Sequence, residues 1–173
     1  FDETQRLLTV TNERAAELEI INSVQEGLAA KLDMQSMYEL VGDKIQEIFD
    51  AQVVDIGLFD LDKRVIHFPY AIERGIRYPD EPTTMRDTTL GQVDNPRLVV
   101  IDDAEEWFAQ QGVEMSIVQG EPSMSMVFAP LVRDGKGFGH ISLQNLDRKA
   151  AFSESDARLL TTLARTLSVA LEN

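Results

Sequence analysis

No cysteine occurs among the 173 residues. That excludes disulfides, thiolate nucleophiles and cysteine-ligated zinc. Histidine is nearly missing as well: His67 and His140 are the only two, so catalytic constellations built on imidazole are thin. Positive charge is outnumbered, 16 Lys and Arg against 30 Asp and Glu, for a formal net charge of -14. Such a field repels nucleic-acid phosphates and acidic membrane surfaces, and neither is expected as a partner. No apolar run approaches the roughly 18 residues of a membrane span, and no secretory signal is visible. Phosphate-cradling glycine motifs and nucleophile elbows are also missing. The KGFGHIS stretch at 136–142 reads as a turn entering a strand, and no serine is framed for attack.

What is present suffices for a core. Apolar residues make up 43% of the chain, enough for one domain, or one domain with a helical extension. The clearest pattern lies at the end. From Gly139 to Asn145, Ile141 and Leu143 alternate with His140, Ser142 and Gln144, the period of a half-buried strand. Ser153 then reads as a helix N-cap, with Asp156 three residues on as the capping-box carboxylate and Phe152 placed to staple onto Ala157. Leu160, Leu163, Ala164, Leu167 and Leu171 recur at helical spacing. Leu159 and Val169 lie off that stripe and imply burial on more than one side.

Upstream, Glu3 to Lys31 reads as one long helix. Leu7, Leu18, Ile21, Leu28 and Leu32 fall on a heptad seam shared with Thr11, Arg14 and Gln25, a weak coiled coil on its own. Its charged first half is expected to project, and its apolar second half to pack on a sheet. The plain reading is an exposed helix end; the sharper one is a signalling helix paired in a parallel dimer. A second helix is predicted from Met34 to Phe49, capped by Asp33. Strands at 52–60 and 64–72 form a hairpin in which Pro69 demands an edge or a bulge. Residues 75–84 read as loop, 98–102 as a short strand, and AEEWFAQQG as a helix capped by Asp102 or Asp103. A second hairpin turns at Asp134-Gly135. This order predicts an α+β fold with a mostly antiparallel sheet. The terminal helices would lie on one face and the segment 75–120 would cover the other.

The stretch GEPSMSMVFAPLV, the strand GHISLQN, the DR that follows, and AFSESD leading into RLLTTLARTLSVALEN resemble the C-terminal part of a GAF domain. The likeness is closest to those of bacterial sensor kinases and nucleotide cyclases. It implies a GAF-like, PAS-related arrangement, with signalling helices on one side of the sheet and a lidded pocket on the other. It further implies a non-catalytic sensory domain at 20–173, preceded by a coiled-coil helix extension at 1–19. Such a domain binds a small molecule and passes a signal through dimeric terminal helices to an attached histidine kinase or cyclase. The alternative is a structural dimerisation module without a specific ligand. A cytoplasmic address is expected. The chain opens with Phe1 and reads as part of a longer protein. Bilin attachment through cysteine, and the cysteine chemistry of free methionine sulfoxide reductases of this fold, cannot operate here. No cofactor is assigned, and the ligand is unknown. In DTTLGQVDNPRLVVIDD at 87–103 the helix and loop that follow the second strand in the family look shortened.

Within that frame His140, Ser142 and Gln144 form a polar row on the pocket face, since buried polar groups need partners. Asp55 and Phe59 share a face of the first strand with Gly57 and could join it. Met126 is pliable wall. Trp107 and Phe108 anchor the helix after LVVID, close the pocket, or both. Asp55, Phe59, Trp107, Phe108, Met126, His140, Ser142 and Gln144 are therefore the candidate ligand-binding residues. His67 belongs at the rim. Imidazole suits iron, but a lone histidine in such a fold is by default structural. The acidic run Asp102, Asp103, Glu105 and Glu106 reads as a helix N-terminus favoured by the macrodipole, so no metal site is assigned. Cyclic-nucleotide-binding members carry Asn-Lys, then Phe, three residues and Asp-Glu. Asn145, Phe152 and Asp156 match, while Leu146 and Ala157 depart. Arg148 or Lys149 could restore the lost ion pair with Asp156. Arg74, Arg77, Arg86 and Arg97 lie where a phosphate would need them.

Overall fold

In the computed structural model, residues 2–31, 33–115 and 120–172 are described. Leu32 of the heptad seam and residues 116–119 of the covering segment lie outside them. Asp2 caps α1 (Glu3–Ala29) through a capping box: its carboxylate accepts from the Gln5 N–H at 2.8 Å, and Gln5 Oε1 accepts from the Asp2 N–H at 3.1 Å. Leu7, Leu8, Val10 and Leu18 on this helix are exposed, whereas Val24 and Leu28 are buried. Arg158 pairs with Glu17 at 2.7 Å, near where α1 begins to pack on the body of the domain.

Asp33 caps α2 (Met34–Ile48) by accepting from the Ser36 N–H at 2.8 Å. β1 (Val53–Asp60) and β2 (Val65–Glu73) form the first hairpin. Their register shifts between Ile56 and Leu58, opposite Phe68 and Pro69. The bulge is where Pro69 can sit without breaking the ladder. It frees the Phe68 N–H, which donates to Asp80 Oδ1 at 2.7 Å. β3 (Ile76–Arg77) and β4 (Thr83–Thr84) add to the outer side of β2.

α3 (Asp87–Asp94), β5 (Val99–Ile101) and α4 (Ala104–Gln111) follow. The segment 75–84, expected to be loop, thus holds two short strands. α3 starts at Arg86, which makes no side-chain cap bond, so the usual helix-start signal is missing. β6 (Ser125–Arg133), β7 (Lys136–Asn145) and α5 (Glu154–Glu172) complete the chain. The Asp134-Gly135 turn has positive φ at both residues, 52° and 76°, which matches the twist of a two-residue hairpin.

The strands order as β3-β2-β1-β7-β6-β5, with β4 also on β2, and every pairing is antiparallel. Val54, Ile56, Val127, Ala129, Ile141 and Leu143 point to one face. There they pack with Val41 and Ile45 of α2 and with Leu160, Leu163 and Leu167 of α5. Each fully buried aliphatic side chain of this kind stabilises by about 1.5–3 kcal/mol. Leu159 is buried as well, but Val169 is exposed, so the second buried side of α5 is narrower than expected. The capping box of α5 is complete: Asp156 Oδ2 accepts from the Ser153 N–H at 2.9 Å, and Ser153 Oγ from the Asp156 N–H at 3.1 Å.

On the opposite face a smaller cluster of Ile101, Ala104 and Met126 gathers Val99, Trp107, Phe108, Met115 and Phe128. The fold is therefore α+β, an antiparallel sheet with the terminal helices on one face and α4 on the other. Among the described residues no helix is long and apolar enough to cross a membrane.

Candidate functional site

The second face of the sheet is built by strand alternation. β1 and β7 pair with Asp55 opposite Ser142 and Gly57 opposite His140. Neighbours across a ladder share a face, so the row expected from sequence forms. Gly57 makes room for the imidazole: a Cβ there would stand 2.8 Å from His140 Nε2 and 2.9 Å from Ile66 Cγ2.

His140 sits among three aromatic rings. The Phe128, Phe59 and Phe68 centroids lie 5.3, 5.8 and 6.4 Å from it, at interplanar angles of 81°, 67° and 56°. These are largely edge-on arrangements that favour aromatic pairs. Asp55 is next to the imidazole, with Oδ1 3.4 Å from Nε2. The two side chains are only 12% and 15% exposed. The approach lacks hydrogen-bond geometry, and Asp55 Oδ1 is a fully buried oxygen without a donor.

Further along β7 the polar groups satisfy one another. Gln144 Nε2 donates to Ser142 Oγ at 3.2 Å, and the Ser123 hydroxyl donates to Gln144 Oε1. Ser142 is completely buried. Met126, opposite Gln144 on β6, leads into the α4 cluster. There Trp107 and Phe108 meet edge to face at 4.9 Å. Phe128 joins the two regions, touching His140 on one side and belonging to the α4 cluster on the other.

Of the eight expected residues, Asp55, Phe59, His140, Ser142 and Gln144 thus lie on one floor. Met126, Trp107 and Phe108 form the adjoining wall. Sequence reasoning missed Phe68, Phe128 and Ser123. Phe128 was within reach, because it alternates with Met126 along SMVFAPLV. Phe68 was not, because the bulge at Pro69 decides which way it faces.

Other expectations find different partners. His67 stays at the edge, with Nε2 3.5 Å from Asp60 and Nδ1 3.8 Å from Asp80. The Lys63 backbone N–H, seconded by His67, holds the Asp60 carboxyl below its usual range against a smaller opposing effect of burial. No group of three or more His, Asp or Glu is placed to hold a metal among the described residues. Asp102 and Asp103 behave as a helix start: Asp103 accepts from the Glu106 N–H at 3.2 Å and pairs with Lys149 at 3.1 Å.

The expected rescue of Asp156 by Arg148 or Lys149 does not occur. Arg148 pairs with Asp50 at 2.7 Å and Lys149 with Asp103, while Asp156 is engaged in its own helix cap. Nor do Arg74, Arg77 and Arg97 of the covering segment converge on the row. Arg74 bridges Glu121 and Asp147, both at 2.7 Å. Arg77 forks onto Glu39 of α2 and lies over the Tyr70 ring at 4.2 Å. The Arg97 guanidinium reaches the Asn95 carbonyl.

Asn145, the position shared with the cyclic-nucleotide group, has a structural task. Its Oδ1 accepts from the Asp147 and Arg148 N–H groups, both at 2.9 Å, and its Nδ2 donates to the Asp50 carbonyl at 3.0 Å. It folds the loop that carries β7 into α5.

Solved structures share this architecture. The GAF domain of an Acinetobacter phosphoenolpyruvate-protein phosphotransferase superposes with a TM-score of 0.70 at 15% identity, over 91% of this chain and 93% of that one. Free methionine-R-sulfoxide reductase from Neisseria meningitidis, in complex with its substrate, gives 0.65 at 19% identity, covering 91% and 89%. A domain of a putative two-component sensor histidine kinase from Sinorhizobium meliloti gives 0.60 at 20%, covering 83% and 94%. At these identities the likeness concerns the fold. No curated protein sequence matches the chain. The GAF domain family model matches residues 33–171, and the chain belongs to the GAF domain family.

Proposed function

We propose that this domain is a non-catalytic sensor of a small molecule, housed on the sheet face that holds Asp55, His140, Ser142 and Gln144. One observation carries the reading: β7 borders both faces of the sheet and leads straight into α5. His140, Ser142 and Gln144 line the candidate floor, Ile141 and Leu143 are buried against the helices, and Asn145 organises the turn into α5. A ligand that shifts β7 or α4 has a short physical route to α5. The same loop is tied to α4 by Lys149–Asp103 and by the Ala150 N–H donating to the Asp102 carbonyl at 2.8 Å. Coupling then requires different ligand affinity in two arrangements of the helices. The exposed leucines of α1 would pair with a second copy, and an attached histidine kinase or nucleotide cyclase of a bacterial signalling protein would read the change.

A thermal-shift screen of the 173-residue chain against amino acids, nucleotides, cyclic nucleotides, amines, haem, bilins and common metabolites tests the proposal. A saturable rise in melting temperature is expected for one ligand class, because a native-state ligand stabilises by mass action.

A second reading, a dimerisation module without a ligand, is favoured by the closed Ser123–Gln144–Ser142 chain, which needs no guest. It predicts a flat screen at saturating concentrations. It also predicts a dimer that Leu18→Glu dissociates in light scattering.

A further inference from the structure

The polar floor is unequal. Gln144, Ser142 and Ser123 are spent on one another. What remains is a buried carboxylate oxygen, Asp55 Oδ1, with no donor. A carboxylate withdrawn from water without a donor is costly unless something supplies one. His140 stands 3.4 Å away without aligning to it, and its ring is held by the edge-on phenyl groups of Phe59 and Phe128.

Phosphate or carboxylate guests would need a cation on this floor. Arg74 and Arg77 of the covering segment are engaged with carboxylates and Arg97 with a backbone carbonyl, so these three offer no anion site at the row. An anionic head group would meet Asp55 as a like charge.

Resting on the sensory reading above, we infer that the site takes a small molecule with a flat apolar body and a nitrogen-borne hydrogen-bond donor, best a protonated amine, directed at Asp55 Oδ1. The donor completes the orphaned oxygen, and its positive charge offsets the buried negative one. Phe59, Phe68 and Phe128 provide ring edges and faces for the apolar body, and a cation near such faces is further attracted.

The test uses probes that share a ring and differ at the head: 2-phenylethylamine, 3-phenylpropionate and phenyl phosphate, with tryptamine and indole-3-acetate as a second set. Titration calorimetry and thermal shift of the 173-residue chain should show saturable binding of the amines and none of the acids or the phosphate. Asp55→Asn should retain the wild-type circular dichroism and weaken amine binding tenfold or more. Phe128→Leu, which leaves the carboxylate intact, should weaken it several-fold, and it carries the test if Asp55→Asn does not fold. An acid or phosphate that binds as tightly as its amine overturns the inference and leaves the sensory reading standing, as does amine binding indifferent to Asp55→Asn. Silence of every probe here, with a hit of other chemistry in the broad screen, also overturns the inference alone. Silence in both experiments removes the sensory reading as well.

Discussion

The ring of Tyr70 on β2 occupies the space that a side chain at Gly42 of α2 would need. A Cβ built on Gly42 would stand 2.5 Å from two carbons of that ring. Beyond the glycine, the Tyr70 hydroxyl donates to Asp43 Oδ1 at 2.8 Å. Gly42 thereby sets how closely α2 lies on the sheet. In an open helix, Gly→Ala would stabilise by about 0.5–1 kcal/mol. Here overpacking dominates, and Gly42→Ala should destabilise by about 1–3 kcal/mol. Urea denaturation followed by circular dichroism would measure it; a stabilised variant would show that the contact yields freely.

Tyr70 also gives the domain an alkaline sensitivity. Burial first, and the hydrogen bond to Asp43 second, push its phenol well above the ordinary tyrosine value. An unfolded chain ionises near pH 10, before the folded one. The stability Tyr70 contributes is therefore fully present below about pH 10 and is lost as pH rises through the higher folded value. Tyr70→Phe should flatten that part of the stability profile relative to wild type. Its cost at neutral pH should be near 1 kcal/mol, the usual net worth of one hydrogen bond. Parallel profiles for the two proteins above pH 10 would contradict the assignment.

Most of this fold could be read from periodicity because its elements carry local signals. Ser153 and Asp156 announce α5, Asp33 announces α2, and Asp134-Gly135 announces the second hairpin. The alternation Ile141, Leu143 against His140, Ser142, Gln144 gave the right register because one face is wholly apolar. α3 was foreseen only as the family's shortened helix, because Arg86 is no cap and gives no local signal; β3 and β4 escaped because two residues have no period. The site was legible as a polar row, not as a set of partners. That Asp55 lacks a donor while Gln144 finds Ser123 depends on angles between strands. That Arg148 and Lys149 turn to Asp50 and Asp103 depends on a loop whose path only Asn145 fixes.

Asn145 should be among the most sensitive polar residues. It is 1% exposed and bonds three backbone groups. Asn145→Ala strands those groups; Asp50, Asp147 and Arg148 are themselves exposed, so water takes over part of the bonding, and a loss of about 1–3 kcal/mol in total is expected. Asn145→Asp keeps an acceptor for the Asp147 and Arg148 N–H groups and loses the donor to Asp50. It should fall between wild type and alanine in thermal denaturation. Equal damage by both would place the effect in the Asp50 bond alone.

Ser168 is a polar residue on the apolar stripe of α5, and its reason lies across the interface. β6 and β7 slip register between Leu131 and Val132, and the Val132 N–H donates to Ser168 Oγ at 3.2 Å. The hydroxyl itself donates to the Ala164 carbonyl at 2.8 Å. Ser168→Ala improves helix propensity by a few tenths of a kcal/mol but orphans a half-buried strand N–H, at about 1 kcal/mol or more. Net destabilisation is expected, together with faster hydrogen exchange at Val132. Unchanged exchange there would mean that the strand finds another acceptor.

Gly57 ties the site to the scaffold. A Cβ at this position meets His140 Nε2 and the Cγ2 of the buried, β-branched Ile66, so Gly57→Ala displaces the imidazole and overpacks against β2. Alanine is the better strand residue, since a strand glycine costs backbone entropy. The clash with Ile66 outweighs that gain, and overall stability should fall by about 1–3 kcal/mol, as overpacking does. The imidazole would also leave its place beside Asp55 and between the rings of Phe59 and Phe128. Histidine ring resonances in NMR should shift for His140 and not for His67, which sits with Asp60 and Asp80. Any ligand found by thermal shift should lose most of its effect on this variant. Full retention of that response, with His140 visibly displaced, would show that the ligand binds away from the β1–β7 row.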